Sequence, residues 1–477
     1  MTTVTRQSSR KPTDIGVDGP TPRDMMRAFT TVRADPLAFL ASTQRQYGDI
    51  AAYPVPGPPV LLLNDPADVR HVLQTRARHW GKETVQYAAL GRVTGPGLLA
   101  SSDPSWIEHR RVAAPAFHHQ RLDEATRQVQ GAARAAATTW SHLPPEGRVV
   151  DLAQISMRIA LDVVGRTLFS ADLSDRAHDL LDATSKAAKL IVALGRSIVP
   201  VPPWLPTPMN LRLRATGRKL DALSHDLIDC RRRQGSPGSP GSPGSHGNDL
   251  LGLLLDGGLS DREIRDELVT MVVAGHETVA AALSWTFMLL AEDQPSQDRL
   301  RAEVRARGAA TSLVGAAADL PWTRAVVDES LRLFPPAWVV SRRSSEPDVI
   351  GGLPVPADTT VIISPWLLHR REQSWPQAKQ FRPERFLQGE TTRARSDYLP
   401  FGLGPRLCIG REFALGEMTV VLSELLAGYR VNTPPGWSRP GAETLVAVHP
   451  HGGMPLRVTP VAPDPPTPET PPAAPPV

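Results

Sequence analysis

Two stretches of the chain carry a helical alternation of apolar and polar positions strong enough to anchor the rest. From Asp261 to about Ala291 no proline interrupts the pattern, and Ser260-Asp-Arg-Glu263 forms a capping box at its start. The run predicts a helix of about 45 Å at about 1.5 Å per residue. Near the other end, Ala414, Met418, Val421, Leu422, Leu425 and Leu426 recur at i, i+4, i+7, i+8, i+11 and i+12, the period of a helix packed on one side, with Gly428 as its stop. Asp35 to Tyr47 and Asp65 to Arg76 read as further helices, and Ile50–Tyr53 with Val60–Asn64 as a hairpin. Between Asp151 and about Arg233 the character is helical, broken by a proline cluster from Val199 to Pro208 that is expected to be a loop joining two long helices. Asp348 to Ser364 alternates as strand, turn and strand. The elements are mostly helical, with a small β region.

Three stretches have no such period. The first twenty residues are polar, Gly235–Ser245 repeats Gly-Ser-Pro without an apolar residue, and the tail past Arg457 is proline-rich. Residues 1–20, 235–247 and 460–477 are therefore expected to be disordered, with one domain over 21–459. Charge alters this little: 53 basic against 49 acidic residues demand no nucleic acid. Among the basic residues only Lys11, Lys82, Lys186, Lys189, Lys219 and Lys379 are lysine, and with 48 prolines this reads as a GC-rich bacterial coding preference. The two cysteines, Cys230 and Cys408, cannot make a disulfide framework and suit a reducing cytoplasm. Cys230 reads as structural. No signal-length apolar run opens the chain, and charges interrupt the long helix, so a soluble cytoplasmic protein without a membrane anchor is expected. Met1 to Thr13, rich in Arg, Ser and Thr and free of acid, also has the composition of a transit peptide.

The chemistry concentrates in Phe401-Gly402-Leu-Gly-Pro-Arg406-Leu-Cys408-Ile-Gly410, directly before the second helix. Unpaired N–H groups and the positive dipole end at a helix N-terminus favour a thiolate, which can ligate a metal. The glycines leave the backbone bare enough for a flat ligand, and Arg406 offers charge to an acidic group on it. A dinucleotide loop does not fit, because Leu407 stands where a third glycine is needed. The pattern F-x-x-G-x-R-x-C-x-G resembles the haem-binding signature of the cytochrome P450 family, the haem-thiolate monooxygenases.

Three more blocks resemble that family in order. Trp106 and Arg110 lie one turn apart, either a surface stacking pair or, as in W-x-x-x-R, a clamp on a haem propionate. Ala274-Gly-His-Glu277-Thr278 in the long helix resembles A-G-x-(D/E)-T; a zincin reading fails because Ala280 stands where the second His belongs. By the resemblance Ala274 leaves room for oxygen, Thr278 hydrogen-bonds dioxygen or a water, and Glu277 belongs to a proton relay; the alternative is that Thr278 bonds back to the carbonyl one turn earlier. Glu329, Arg332 and Arg385 match E-x-x-R and P-E-R-F, implying a buried structural network behind the cysteine loop. Arg342, chosen over Arg343 by counting to Gly352, is the implied third propionate contact, and Trp338, Val339 and Val340 are the implied substrate-facing residues. The family's acidic dipeptides are replaced here by Arg371-Glu372 and Gln377-Ala378. His118-His119 and His449-Pro450-His451 are expected to ligate nothing, the latter lying in a turn.

What the resemblance implies is a triangular α-rich prism around a buried haem b, with Cys408 as the axial iron ligand and Phe401, Gly402 and Gly410 in its cradle. The implied reaction inserts one oxygen atom from O2 into an apolar small molecule, a terpenoid, fatty acid or polyketide, by hydroxylation or epoxidation. Electrons would come from a ferredoxin and its reductase on a basic proximal surface, since the chain stops soon after the cysteine helix; a monomer is expected. A haem-thiolate peroxygenase or isomerase would tend to lose the Glu277–Thr278 pair, a haem-binding sensor would show the spectrum without turnover, and a helical binding module would lack haem.

Overall fold

The computed structural model describes residues 16–171, 173, 177–195, 202, 204–234, 246–387 and 397–461. The expected tails before residue 16 and after 461, the insert at 235–245, and part of the proline cluster lie outside the described residues. The helices are α1 Pro22–Arg27, α2 Phe29–Ala34, α3 Pro36–Tyr47, α4 Pro66–Arg70, α5 Val85–Thr94, α6 Ser105–Ala113, α7 His119–Thr138, α8 Leu152–Leu168, α9 Ala177–Gly195, α10 Pro208–Gln234, α11 Leu250–Asp256, α12 Asp261–Glu292, α13 Gln294–Arg307, α14 Ala316–Asp319, α15 Pro321–Leu333, α16 Pro365–Leu368 and α17 Arg411–Gly428. The five strands of the main sheet run in the order β1 (Ile50–Tyr53), β2 (Val60–Leu63), β8 (Thr360–Ile363), β5 (Val340–Ser344), β3 (Trp80–Gly81). A second sheet orders β4 (Arg148–Asp151), β12 (Pro455–Pro460) and β9 (Tyr429–Asn432), and the pairs β6 (Asp348–Ile350) with β7 (Leu353–Val355) and β10 (Ala442–Thr444) with β11 (Val448–Pro450) are hairpins.

The capping box forms as its spacing predicts. The Ser260 hydroxyl accepts from the Glu263 amide and the Glu263 carboxylate accepts from the Ser260 amide, so α12 starts with both of these backbone donors satisfied. It then runs 32 residues and packs on α8, α5, α10, α15 and α17. By length and apolarity α12 could cross a membrane, but 83% of its most apolar window is buried inside the protein, which makes it a core helix. The largest cluster joins it to α7, α8, α15 and α17, with Trp285 stacked on Phe334 at 4.1 Å.

The structure departs from the sequence reading at several points. Helix α17 is buried on nearly every side, not one, because α7, α13 and α15 surround it. Its polar positions survive there by bonding inward, Thr419 to the Leu415 carbonyl at 2.8 Å and Ser423 to that of Val420 at 2.9 Å. After α4 the expected single helix widens to a π turn over His71–Thr75. Asp18 and Gly19, assigned to a tail, sit on β1: the Ala52 amide donates to the Asp18 carbonyl at 3.0 Å, and a Cβ on Gly19 would lie 1.9 Å from the Ala52 carbonyl oxygen. His246, at the expected insert's end, is tied to Asp256 at 2.5 Å. Cys230 is exposed and belongs to no core, and His449-Pro450 forms a strand and not a turn.

Candidate active site

The cysteine loop is shaped by where side chains cannot be. Gly404 has φ +72°, and a Cβ there would meet the Leu73 carbonyl oxygen at 2.0 Å, so only glycine fits. The Cys408 amide donates to the Phe401 carbonyl at 3.0 Å, closing the loop, and Gly410 caps α17 with the Phe117 ring 3.5 Å from where its Cβ would stand. Cys408 is deeply surrounded by protein yet keeps its own surface uncovered, so its sulfur faces an interior space. Burial pushes the thiol up from its usual range; the Gly410 amide and the charges of Arg110, Arg411 and Lys82 pull the other way and lose. Burial therefore opposes the effect of the helix start, which was expected to favour a thiolate.

Around that sulfur stands a rim of cations. Arg406 donates to the Ser101 carbonyl and the Asp103 carboxylate, both at 2.8 Å, and lies 3.9 Å over the Trp106 ring, whose other neighbour is Arg110 at 5.4 Å. Both guanidiniums thus meet the Trp106 ring. Arg342 is buried, donating to the Tyr87 hydroxyl at 3.1 Å and its neighbour's carbonyl at 2.8 Å, whereas Arg343 pairs with Asp358 at 3.0 Å nearer the surface. Lys82, which no spacing had singled out, is buried beside them; its Nζ donates to the Leu99 carbonyl at 2.8 Å and lies 4.9 Å from the Tyr87 ring. Burial first, and then Arg342, Arg406 and Arg110, hold the lysine well below its usual range. Burial likewise takes Arg406 down to about 10. Four cations share this space and the acid bonded to Arg406, Asp103, is half exposed, so the rim calls for an anionic ligand.

On α12 a narrow window opens. Between Asp266 and Ala291 every residue is buried except Ala274, Gly275 and Thr278, which share one face. The missing side chain of Gly275 has another use as well, since a Cβ there would lie 3.0 Å from Val164 on α8. The Thr278 hydroxyl donates to the Ala274 carbonyl at 2.7 Å, the back-bonded alternative raised above. Glu277 is fully buried, its Oε2 has no partner, and burial raises its carboxyl to about 8. His276 is held against the Val272 carbonyl and lies 3.4 Å from the Thr184 hydroxyl; burial lowers it to about 4, so it is neutral. Among the described residues no group of His, Cys, Asp and Glu is placed to hold a metal ion on its own.

Behind the loop, Arg332 grips Glu329 with two bonds of 2.7 and 2.8 Å, both side chains fully buried. Arg385 approaches Glu329 at 3.4 Å, and the Arg332 guanidinium also donates to the carbonyls of His369 at 2.7 Å and Ala378 at 2.8 Å. Sequence reasoning missed His369. Its Nε2 accepts from the Leu399 amide at 2.9 Å and its Nδ1 therefore donates to the Arg332 carbonyl at 3.1 Å, linking the ion pair to the strand of backbone that leads into Phe401. Burial, with Arg332 and Arg370 nearby, holds this imidazole down to about 3. Trp338, Val339 and Val340 are half-buried, with the Trp338 indole donating to the Leu445 carbonyl at 3.1 Å and Gln86 donating to that of Val339 at 3.2 Å. His118 and His119 are exposed.

Known proteins resemble this chain over most of its length. The family model for cytochrome P450 matches residues 18–455. Over 419 residues the chain is 31% identical to cyclooctatin synthase of Streptomyces melanosporofaciens, covering 84% of this chain and 86% of that one. Pentalenene oxygenase of Streptomyces avermitilis is 31% identical over 417 residues, 84% and 88% of the two chains. The crystal structure of CYP175A1 from Thermus thermophilus matches with a TM-score of 0.74 at 31% identity, over 92% of this chain and 98% of that one.

Proposed function

Because this chain belongs to the cytochrome P450 family, we propose that its monooxygenase reaction is run by Cys408, Glu277 and Thr278 on an apolar cyclic terpenoid. The fold is that of the P450s, the cofactor is haem, and the enzyme is a haem-thiolate monooxygenase. The observation that carries the assignment of residues is the uncovered Cys408 beside four basic side chains, Lys82 and Arg342 buried and Arg110 and Arg406 partly so, a donor set that suits a metal centre carrying two carboxylates. Haem bound through that sulfur supplies the activation and splitting of dioxygen.

The chain's own residues do the rest. Arg406, Arg110, Arg342 and Trp106, joined by Lys82, hold and neutralise the propionates, and Phe401, Gly402 and Gly410 form the cradle of the cysteine side. Glu277, raised to about 8, keeps its proton at neutral pH and so stands as a loaded donor in a dry site. Thr278 turns its hydroxyl from the Ala274 carbonyl to pass that proton on. The bare faces of Ala274 and Gly275 leave space for oxygen, and Trp338, Val339 and Val340 present apolar surface to the substrate. Glu329, Arg332 and Arg385 hold the loop that carries the sulfur. Electrons come from a ferredoxin and its reductase. Its docking on the side of the cysteine loop, near the partly exposed Arg411, is part of this reading.

The terpenoid assignment is supported by the names of the two Streptomyces relatives. The absorption spectrum of the reduced, carbon monoxide-bound protein tests the thiolate, with Cys408→Ser as the control that loses it. Titration with cyclic terpenes and with long-chain fatty acids, followed by the shift of the haem band, tests the substrate class. Shifts with fatty acids alone would overturn it.

A further inference from the structure

The cations of the rim do not stand by themselves; two of them are placed by one short strap of backbone. Gly95 and Gly97 lay that strap directly on α12. A Cβ on Gly95, at φ +75°, would fall 2.1 Å from the Asp266 carboxyl, and one on Gly97 would fall 2.3 Å from the Thr270 hydroxyl and 2.9 Å from the Asp266 carbonyl oxygen. One residue on, the Leu98 amide donates to both carboxylate oxygens of Glu267, at 3.0 and 3.2 Å. Glu267 is wholly buried, and its Oε1 also receives the Nδ1 of His109 at 2.7 Å. His109, itself buried, sits next to Arg110 on α6; its Nε2 points toward Glu263 at 3.6 Å.

From Leu98 onward the strap is turned toward the rim. The Leu99 carbonyl takes the Lys82 ammonium, the Ser101 carbonyl takes one arm of Arg406, and the Asp103 carboxylate takes the other, each at 2.8 Å. A carboxylate on the long helix is thereby connected, through one buried amide and a few residues of backbone, to the acceptors that aim two cations. The same carboxylate holds α6, and with it Trp106 and Arg110, through His109.

We propose that Glu267 and His109 are positioning residues for the anionic edge of the cofactor, fixing the strap Leu98–Asp103 and helix α6 so that Lys82, Arg406 and Arg110 converge on its carboxylates. The inference rests on the haem assignment made above. Neither residue touches the cofactor; both act through the backbone and through α6. Losing the carboxylate frees the Leu98 amide and lets the Leu99 and Ser101 carbonyls drift, so the cations keep their charge and lose their aim.

The test is the rate at which ferric enzyme releases haem to excess apomyoglobin, in the full-length protein carrying Glu267→Gln, alone and together with Lys82→Met. Glutamine keeps the volume, but it removes the charge and puts an NH2 group where Oε2 accepts from the Leu98 amide at 3.2 Å, setting donor against donor. Release is expected to quicken roughly 10-fold in Glu267→Gln, the scale of removing a supporting partner behind a ligand. Against Lys82→Met the same change is expected to matter about threefold less, because part of what Glu267 aims is already gone. Unchanged release in Glu267→Gln, or an equal factor in both backgrounds, overturns the proposal, the second by making Glu267 a general stabiliser. If the unsubstituted protein holds no haem, the assignment of the cofactor fails instead, and that is read first from its spectrum.

Discussion

Replacing Glu277 by glutamine separates what this residue costs the fold from what it gives the reaction. In the unfolded chain its carboxyl ionises near 4.5; in the folded protein burial holds the proton until about pH 8. Between those values the native state binds one more proton than the unfolded one, so stability falls as pH rises, by about 1.4 kcal/mol per unit. Over the whole window this comes to about 5 kcal/mol. Below pH 4.5 both states carry the proton and the contribution is nil. Glutamine cannot ionise in either state and has nearly the same shape, so the variant should match the wild type near pH 4.5 and exceed it by several kcal/mol at pH 8.

Urea unfolding of the haem-bound protein at about pH 5, 6.5 and 8 measures this directly, since the other titrating groups cancel in the difference between the two proteins. Equal differences at the two ends of that range would show that Glu277 is ionised in the native state and would refute the burial argument. The same variant reads the proton relay. Turnover should fall roughly 10²-fold or more while substrate binding by spectral shift stays put, because a neutral amide has no proton to give. Wild-type turnover should itself decline above about pH 8, where the carboxyl empties. A glutamine variant that turns over normally would remove Glu277 from the mechanism whatever its stability.

Other substitutions probe the support of the sulfur. Arg332→Met leaves the buried Glu329 with only Arg385, at 3.4 Å, as a charged partner and should cost up to about 3–5 kcal/mol, with haem lost from the purified protein before any change in the product formed by what remains. His369→Phe strands the Leu399 amide and the Arg332 carbonyl, two buried groups at about 1–3 kcal/mol each; the reduced carbon monoxide spectrum should shift toward the form that lacks a thiolate ligand. If His369→Phe leaves both spectrum and unfolding midpoint unchanged, the link from Arg332 to the cysteine loop carries nothing. Gly404→Ala should fail to accumulate as folded protein, since its Cβ has a carbonyl oxygen 2.0 Å away, whereas Gly402→Ala, at φ +79° with nothing closer than 4.0 Å, should fold with a loss of about 1 kcal/mol.

What could be read from the chain and what could not divide along a physical line. The cysteine loop was legible because a ligand with fixed geometry demands particular residue types at particular spacings, and Phe401, Gly404, Arg406, Cys408 and Gly410 lie within ten residues of one another. Helix α12 was legible because its cap is local and its period unbroken. Lys82, His369 and the Glu267–His109 pair were not, because their meaning lies in partners far away in sequence. His109 meets Glu267 158 residues on, and Lys82 is aimed by a carbonyl whose side chain, Leu99, says nothing about it. A backbone acceptor carries no residue identity, so a cation aimed by one leaves no motif. The same reasoning explains the misreading of α17. The period predicted packing on one side only, yet the Thr419 and Ser423 hydroxyls bond back along their own helix and burial raises the Glu417 carboxyl well above its usual range, so three polar letters stand in a buried surface. Periodicity reports which residues prefer water, and it fails wherever a short side chain can satisfy itself without it. In this protein Thr419 and Ser423 are such places, each bonded to a carbonyl of its own helix inside the core.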